Sequence, residues 1–139
     1  MIPYKDENPT YSPAVVNWLL ILVCVFVYVW IQPSATTGVS GYEEQVRFTY
    51  RWAAVPCEVT QGRPLAVEEI RATLRQGDPS ACRAHPRTPA AFPDKNVWLA
   101  VLISMFLHGS WLHLGGNMLF LWVFGNNVED HLGHLRYLV

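Results

Sequence analysis

Apolar positions in this chain gather into two blocks separated by a long polar tract, a distribution that predicts helices built to leave water. The first block, residues 14–31, holds a single polar residue, Asn17, and no charge. As a helix it would extend about 27 Å, close to the hydrocarbon thickness of a bilayer. It is too long and lacks the basic start expected of a cleaved signal peptide, since Lys5 is countered by Asp6 and Glu7. Trp18, Tyr28 and Trp30 lie toward its ends, where amphipathic rings favour the headgroup region.

The second block runs from Val97 to about Leu132, more than one straight crossing needs. Helical phase divides it. At 100° per residue, His113 and Asn117 stand about 40° apart on one face, whereas His108 falls opposite Asn117. Gly109 lets the backbone turn and Ser110 can cap a helix beginning at Trp111. The expected arrangement is a shallow or re-entrant segment over 97–107, His108 at the joint, and a spanning helix over 111–130.

Between the blocks, residues 32–96 carry eight basic and seven acidic side chains. Arg63-Pro64 can open a short amphipathic helix near 64–76, with Val67, Ile70 and Leu74 on one side and Gly77 as its stop. Residues 78–93, rich in proline and small side chains, are expected to be extended. Hydrophobic residues make up 51% of the chain and charged residues 15%, which favours an integral membrane protein and offers no basic surface for nucleic acid. No phosphate-binding glycine loop or internal repeat is present. Cys24 reads as a small apolar residue within the first helix. Cys57 and Cys82 can pair if their loop lies outside the cytoplasm, with two free thiols as the equal alternative.

His108-Gly-Ser-Trp-Leu-His113-Leu-Gly-Gly-Asn117 carries the chemistry. Polar side chains at membrane depth are costly and read by default as functional. A metal site of His108, His113, His131 and His134 lacks the spacing of known ligand motifs. Two readings stay open on chemistry alone. His113 and Asn117 could be polar glue between helices, or their N–H groups could converge on a developing oxyanion in a water-poor site.

The segment from His108 to Gly133 resembles the second transmembrane helix of rhomboid intramembrane serine proteases. The His-x-x-x-Asn pair, the upstream histidine and the ending Gly125-x-x-Val128-Glu129-x-x-x-Gly133 carry the likeness, with weaker support from Tyr50-Arg-Trp-Ala-Ala-Val-Pro56. The resemblance implies an all-α, multi-pass membrane protein with a rhomboid-like bundle, here truncated at the start of a third helix over 135–139. The whole of 1–139 is then the first part of one rhomboid domain: a tail over 1–13, a first transmembrane helix, a first loop over 32–107, and a second transmembrane helix. It implies a serine-type endopeptidase that cleaves transmembrane protein substrates without metal or organic cofactor. His113 and Asn117 match the oxyanion donors, His108 matches a supporting histidine, and Glu129 and Gly133 match closing structural positions. The family's catalytic serine and histidine belong to later helices, so residues 1–139 by themselves are expected to be inactive. Gly38-Val-Ser40-Gly41 satisfies the family's Gly-x-Ser-Gly as a string, but it precedes the His-x-x-x-Asn helix and is read as part of a flexible polar loop. The expected setting is a bacterial cytoplasmic membrane with the amino terminus in the cytoplasm. The rival expectation is a non-catalytic relative that binds transmembrane helices; oligomeric state is not encoded in these motifs.

Overall fold

The computed structural model describes residues 11–33, 38–76 and 88–138. In chain order its α-helices are α1 (Val15–Phe26), α2 (Gly38–Trp52), α3 (Pro56–Gln61), α4 (Val67–Gln76), α5 (Val97–Ser104), α6 (Trp111–Phe120), α7 (Asn126–Leu132) and α8 (His134–Leu138). Two π-helical segments, Val27–Ile31 and Leu121–Gly125, follow α1 and α6. Among the described residues there is no strand, only an isolated antiparallel bridge between Ala66 and Ala90. The described residues are therefore all-α. It divides into two compact units, residues 1–32 with 106–139, and residues 33–105.

The first unit packs α1 against the run from α6 to α8. Among the described residues no helix is long and apolar enough to cross a membrane. The single helices expected over 14–31 and 111–130 are instead composite: α1 passes directly into π geometry at Val27, and α6 does so at Leu121. The physical reason is visible at the second of these. Asn17 Nδ2 donates to the Leu121 carbonyl at 3.0 Å, and a side chain that bonds to the helical ladder is a known cause of such local widening.

Ala14, the residue before α1, offers no side-chain cap. Its place is taken from far along the chain by Glu129, whose carboxylate accepts the N–H groups of Val16 at 2.9 Å and Asn17 at 2.7 Å. Asp130 accepts the N–H groups of Tyr11 and Ser12 and the Ser12 hydroxyl. Two adjacent carboxylates thus satisfy donors around one helix start, where the helix dipole also favours negative charge. Trp18 meets Trp122 edge to face at 4.9 Å. Gly133, at φ +77° and ψ 157°, adopts a conformation open essentially to glycine and turns the chain from α7 into α8.

The second unit corrects the expectation for the loop. Residues 38–52, including the Gly-x-Ser-Gly string, are helical rather than a flexible loop, and α3 follows with Pro56 in its first turn and Gly62 as a left-handed cap. The α4 helix opens at Val67, not at Pro64, because Glu69 reaches back to accept the Ala66 N–H at 2.8 Å, the reciprocal half of a capping box. Arg63 grips the same carboxylate with two N–H groups, at 2.9 and 2.7 Å. The buried Glu58 accepts the Leu65 N–H and pairs with Lys95, whose ammonium also donates to the carbonyls of Tyr50 and Ala53. All three ammonium protons therefore find acceptors, which is what makes burial of this pair tolerable. Cys57 is disulfide-bonded and Cys24 is a free thiol, while Cys82 lies outside the described residues. Most of the stretch expected to be extended over 78–93 also lies outside them.

The Arg63 hydrogen bonds hold the Glu69 carboxyl below the usual carboxylate range, with a smaller contribution from the Ala66 N–H and an opposing push from burial. A depressed folded value means that the contact stabilises above the unfolded carboxyl's pKa of about 4.3 and is lost as pH falls through the lower folded value. Glu69→Gln is expected to destabilise this unit at pH 7 by about 1 to 2 kcal/mol, less than a fully buried pair because the Arg63 side chain is 37% exposed. Hydrogen exchange at Ala66, measured from pH 7 down to pH 3, should show the gap between variant and parent closing. A gap that stays constant across that range would assign the effect to packing alone.

Candidate functional site

Ser110 begins α6 in the way its position suggests, its hydroxyl accepting the His113 N–H at 3.1 Å. That cap fixes where the helix starts and thereby its phase. His113 and Asn117 follow within the helix, one turn apart, and both are exposed. An imidazole and a carboxamide so placed share one face and can donate toward a common point.

His108 stands outside the helix and is 4% exposed. Its Nδ1 lies 3.2 Å from the Phe106 carbonyl, an acceptor only, so Nδ1 carries the proton and Nε2 is the acceptor of the neutral ring. The His108 and His113 rings meet edge to face at 5.4 Å. Helical phase puts His108 off the His113 face, yet the turn through Gly109 returns its ring to His113. Of the four histidines weighed as metal ligands, His108 and His113 are together, whereas His134 donates from Nδ1 to Glu129 at 2.6 Å. Among the described residues no group of three or more histidine, cysteine or acidic side chains could hold a metal ion.

Tyr28 in the first apolar block and Gln32 just after it complete the surroundings. Tyr28 packs edge to face on Trp111 at 4.8 Å and on His108 at 6.5 Å. Gln32, one turn later, uses both ends of its carboxamide on the His108 backbone. The only signal for Gln32 in the sequence is its place as the first polar residue after the block, which is also where any helix returns to water.

The closing positions meet at one buried node. Glu129 is 0% exposed, and Asn17, at 2%, donates to the Leu121 carbonyl and accepts the Tyr137 hydroxyl at 2.9 Å. Gly125 lies directly against Asn17. Sequence reasoning singled out Glu129 and Gly133 but passed over Asn17, although it is as polar and as deep in an apolar run as His113.

Residues 95–139, from just before α5 through α8, match the family model of the Rhomboid domain. Over that stretch the chain is similar to the rhomboid family. Comparison with curated proteins and with solved structures gives no match. Rhomboid-family proteins are integral membrane proteins, generally serine intramembrane proteases, and the matched stretch contains His108, His113, Asn117, Gly125, Glu129 and Gly133 together.

Proposed function

We propose that this chain is part of a rhomboid protein and supplies the oxyanion side of an intramembrane serine endopeptidase acting on transmembrane protein substrates. The observation that carries the reading is the pairing of His113 and Asn117 on one exposed face of α6, beside the buried, tautomer-fixed His108. In the reaction the family's serine attacks a peptide carbonyl carbon and its proton passes to the dyad histidine. The carbonyl oxygen becomes an oxyanion, which accepts from the His113 ring N–H and the Asn117 Nδ2–H. Fixed donors of this kind act most strongly where water is scarce. The chemistry calls for no metal or organic cofactor. The setting is a lipid bilayer, with the amino terminus on the cytoplasmic side of a bacterial membrane.

Asn117→Ala in the full-length protein is expected to lower cleavage of a single-span substrate by about 10- to 1,000-fold, the range for loss of one oxyanion donor. The measurement is initial rate in liposomes, with folding checked by circular dichroism. Unchanged cleavage would return Asn117 to helix packing. A parent protein that binds single-span helices but cleaves none would favour the non-catalytic relative.

A further inference from the structure

The protease reading leaves open what holds His108 and the start of α6 in place. Gln32 ends the run of α1 and its π segment, its own N–H bonded to the Val27 carbonyl at 2.9 Å. Its carboxamide then does two things at once. Nε2 donates to the His108 carbonyl at 3.0 Å, and Oε1 accepts the His108 N–H at 2.9 Å. A primary carboxamide pairing with both polar atoms of one residue's backbone mimics the hydrogen bonding of a neighbouring strand, and it fixes orientation as well as distance. The residue gripped is the one that needs it. His108 belongs to no helix and precedes Gly109, the most permissive residue of the joint.

We propose that Gln32 is a positioning residue for the oxyanion pair, acting through His108. This rests on the protease reading. The clamp holds the turn over 106–108 closed, so that His108 Nδ1–H reaches the Phe106 carbonyl and the ring is presented to His113. Tyr28, one turn before Gln32, supports the arrangement from below through Trp111. The Gln32 carboxamide hydrogen-bonds to the His108 backbone and not to the His113 or Asn117 donors, so its loss should alter how well the site is formed and not how tightly a substrate helix docks.

The test compares Gln32→Leu, close in volume but unable to hydrogen-bond, and Gln32→Glu, which keeps the acceptor and loses the donor. Both are made in the full-length protein in liposomes, with a fluorescently labelled single-span peptide as probe. Gln32→Leu is expected to lower kcat by about 10-fold with KM within about 2-fold, and Gln32→Glu to fall between it and the parent. In parallel, nitrogen NMR of histidine-labelled protein reads the His108 tautomer without any need for activity. The parent should show a protonated Nδ1, and Gln32→Leu should lose that preference while its unfolding temperature stays near the parent's. A kcat equal to the parent's in Gln32→Leu, or a rise in KM in place of a fall in kcat, overturns the proposal. So does an unchanged tautomer. If the parent cleaves nothing, the protease reading fails and the tautomer measurement alone decides whether Gln32 positions His108.

Discussion

Replacing Glu129 by alanine will detach the start of α1, at an expected cost of about 3 to 5 kcal/mol, the range for removing one partner from a buried, charge-assisted network. The carboxylate is fully buried and accepts three donors: the N–H groups of Val16 and Asn17, and Nδ1 of His134. Ala14, the residue before α1, has no side chain that could take its place. Truncation therefore leaves two helix-start N–H groups facing a site from which water is excluded, and orphaned donors cost more than the bonds they made. Glu129→Gln should cost less, since Oε1 can still accept one backbone N–H while Nε2 faces the other as a second donor. Equilibrium unfolding in detergent micelles, followed by tryptophan fluorescence at Trp18 and Trp122, is the measurement, because those rings pack against each other across the same contact. A loss below about 1 kcal/mol for Glu129→Ala would mean that water reaches the node and that burial of the carboxylate does not persist in solution.

The same node shows how much of the molecule can be read from its sequence. Periodicity and capping residues locate α6, since Ser110 is a strong N-cap and His113 three residues on is where its hydroxyl bonds. The family ending marks Gly125, Glu129 and Gly133 as important because a spaced motif is local in sequence. What they bond to is not local. The two backbone partners of Glu129 are more than a hundred residues away, and nothing in the spelling of Val16-Asn17 says that their N–H groups need a distant acid. The π segments are hidden for a related reason. They arise where a side chain from another element meets the helical ladder, as Asn17 does at Leu121, while their own residues remain ordinary apolar helix formers. In residues 33–105 the polar composition suggested a loop, because charge usually marks solvent. Here Glu58, Glu69 and Lys95 are turned inward and bonded to backbone groups, so that charged residues build the unit from inside. Composition cannot separate that arrangement from a solvated one. For the site, the pairing of His113 with Asn117 follows from helical arithmetic. The meeting of His108 with His113 depends on the non-helical turn between them, which leaves no periodic trace.

Gly125→Ala is expected to be nearly as damaging as loss of Glu129, about 3 kcal/mol, although it adds only a methyl group. A Cβ at this position would lie 2.2 Å from Asn17 Oδ1, 2.6 Å from its Cγ and 2.8 Å from the Tyr137 hydroxyl, so something must move. Asn17 cannot yield cheaply, because it is 2% exposed and both ends of its carboxamide are used, one on the Leu121 carbonyl and one on the Tyr137 hydroxyl. Shifting it breaks two buried hydrogen bonds, and leaving it forces α1 away from the segment that holds Trp122. A double-mutant cycle separates the two effects. In an Asn17→Ala background two of the three crowded atoms are gone and the hydrogen bonds are already lost, so the added methyl should cost about 1 kcal/mol or less. Unfolding free energies of the four proteins in micelles give the coupling directly. Additive costs would show that the close approach at Gly125 relaxes without Asn17 moving, and that the glycine is needed for some contact other than this one.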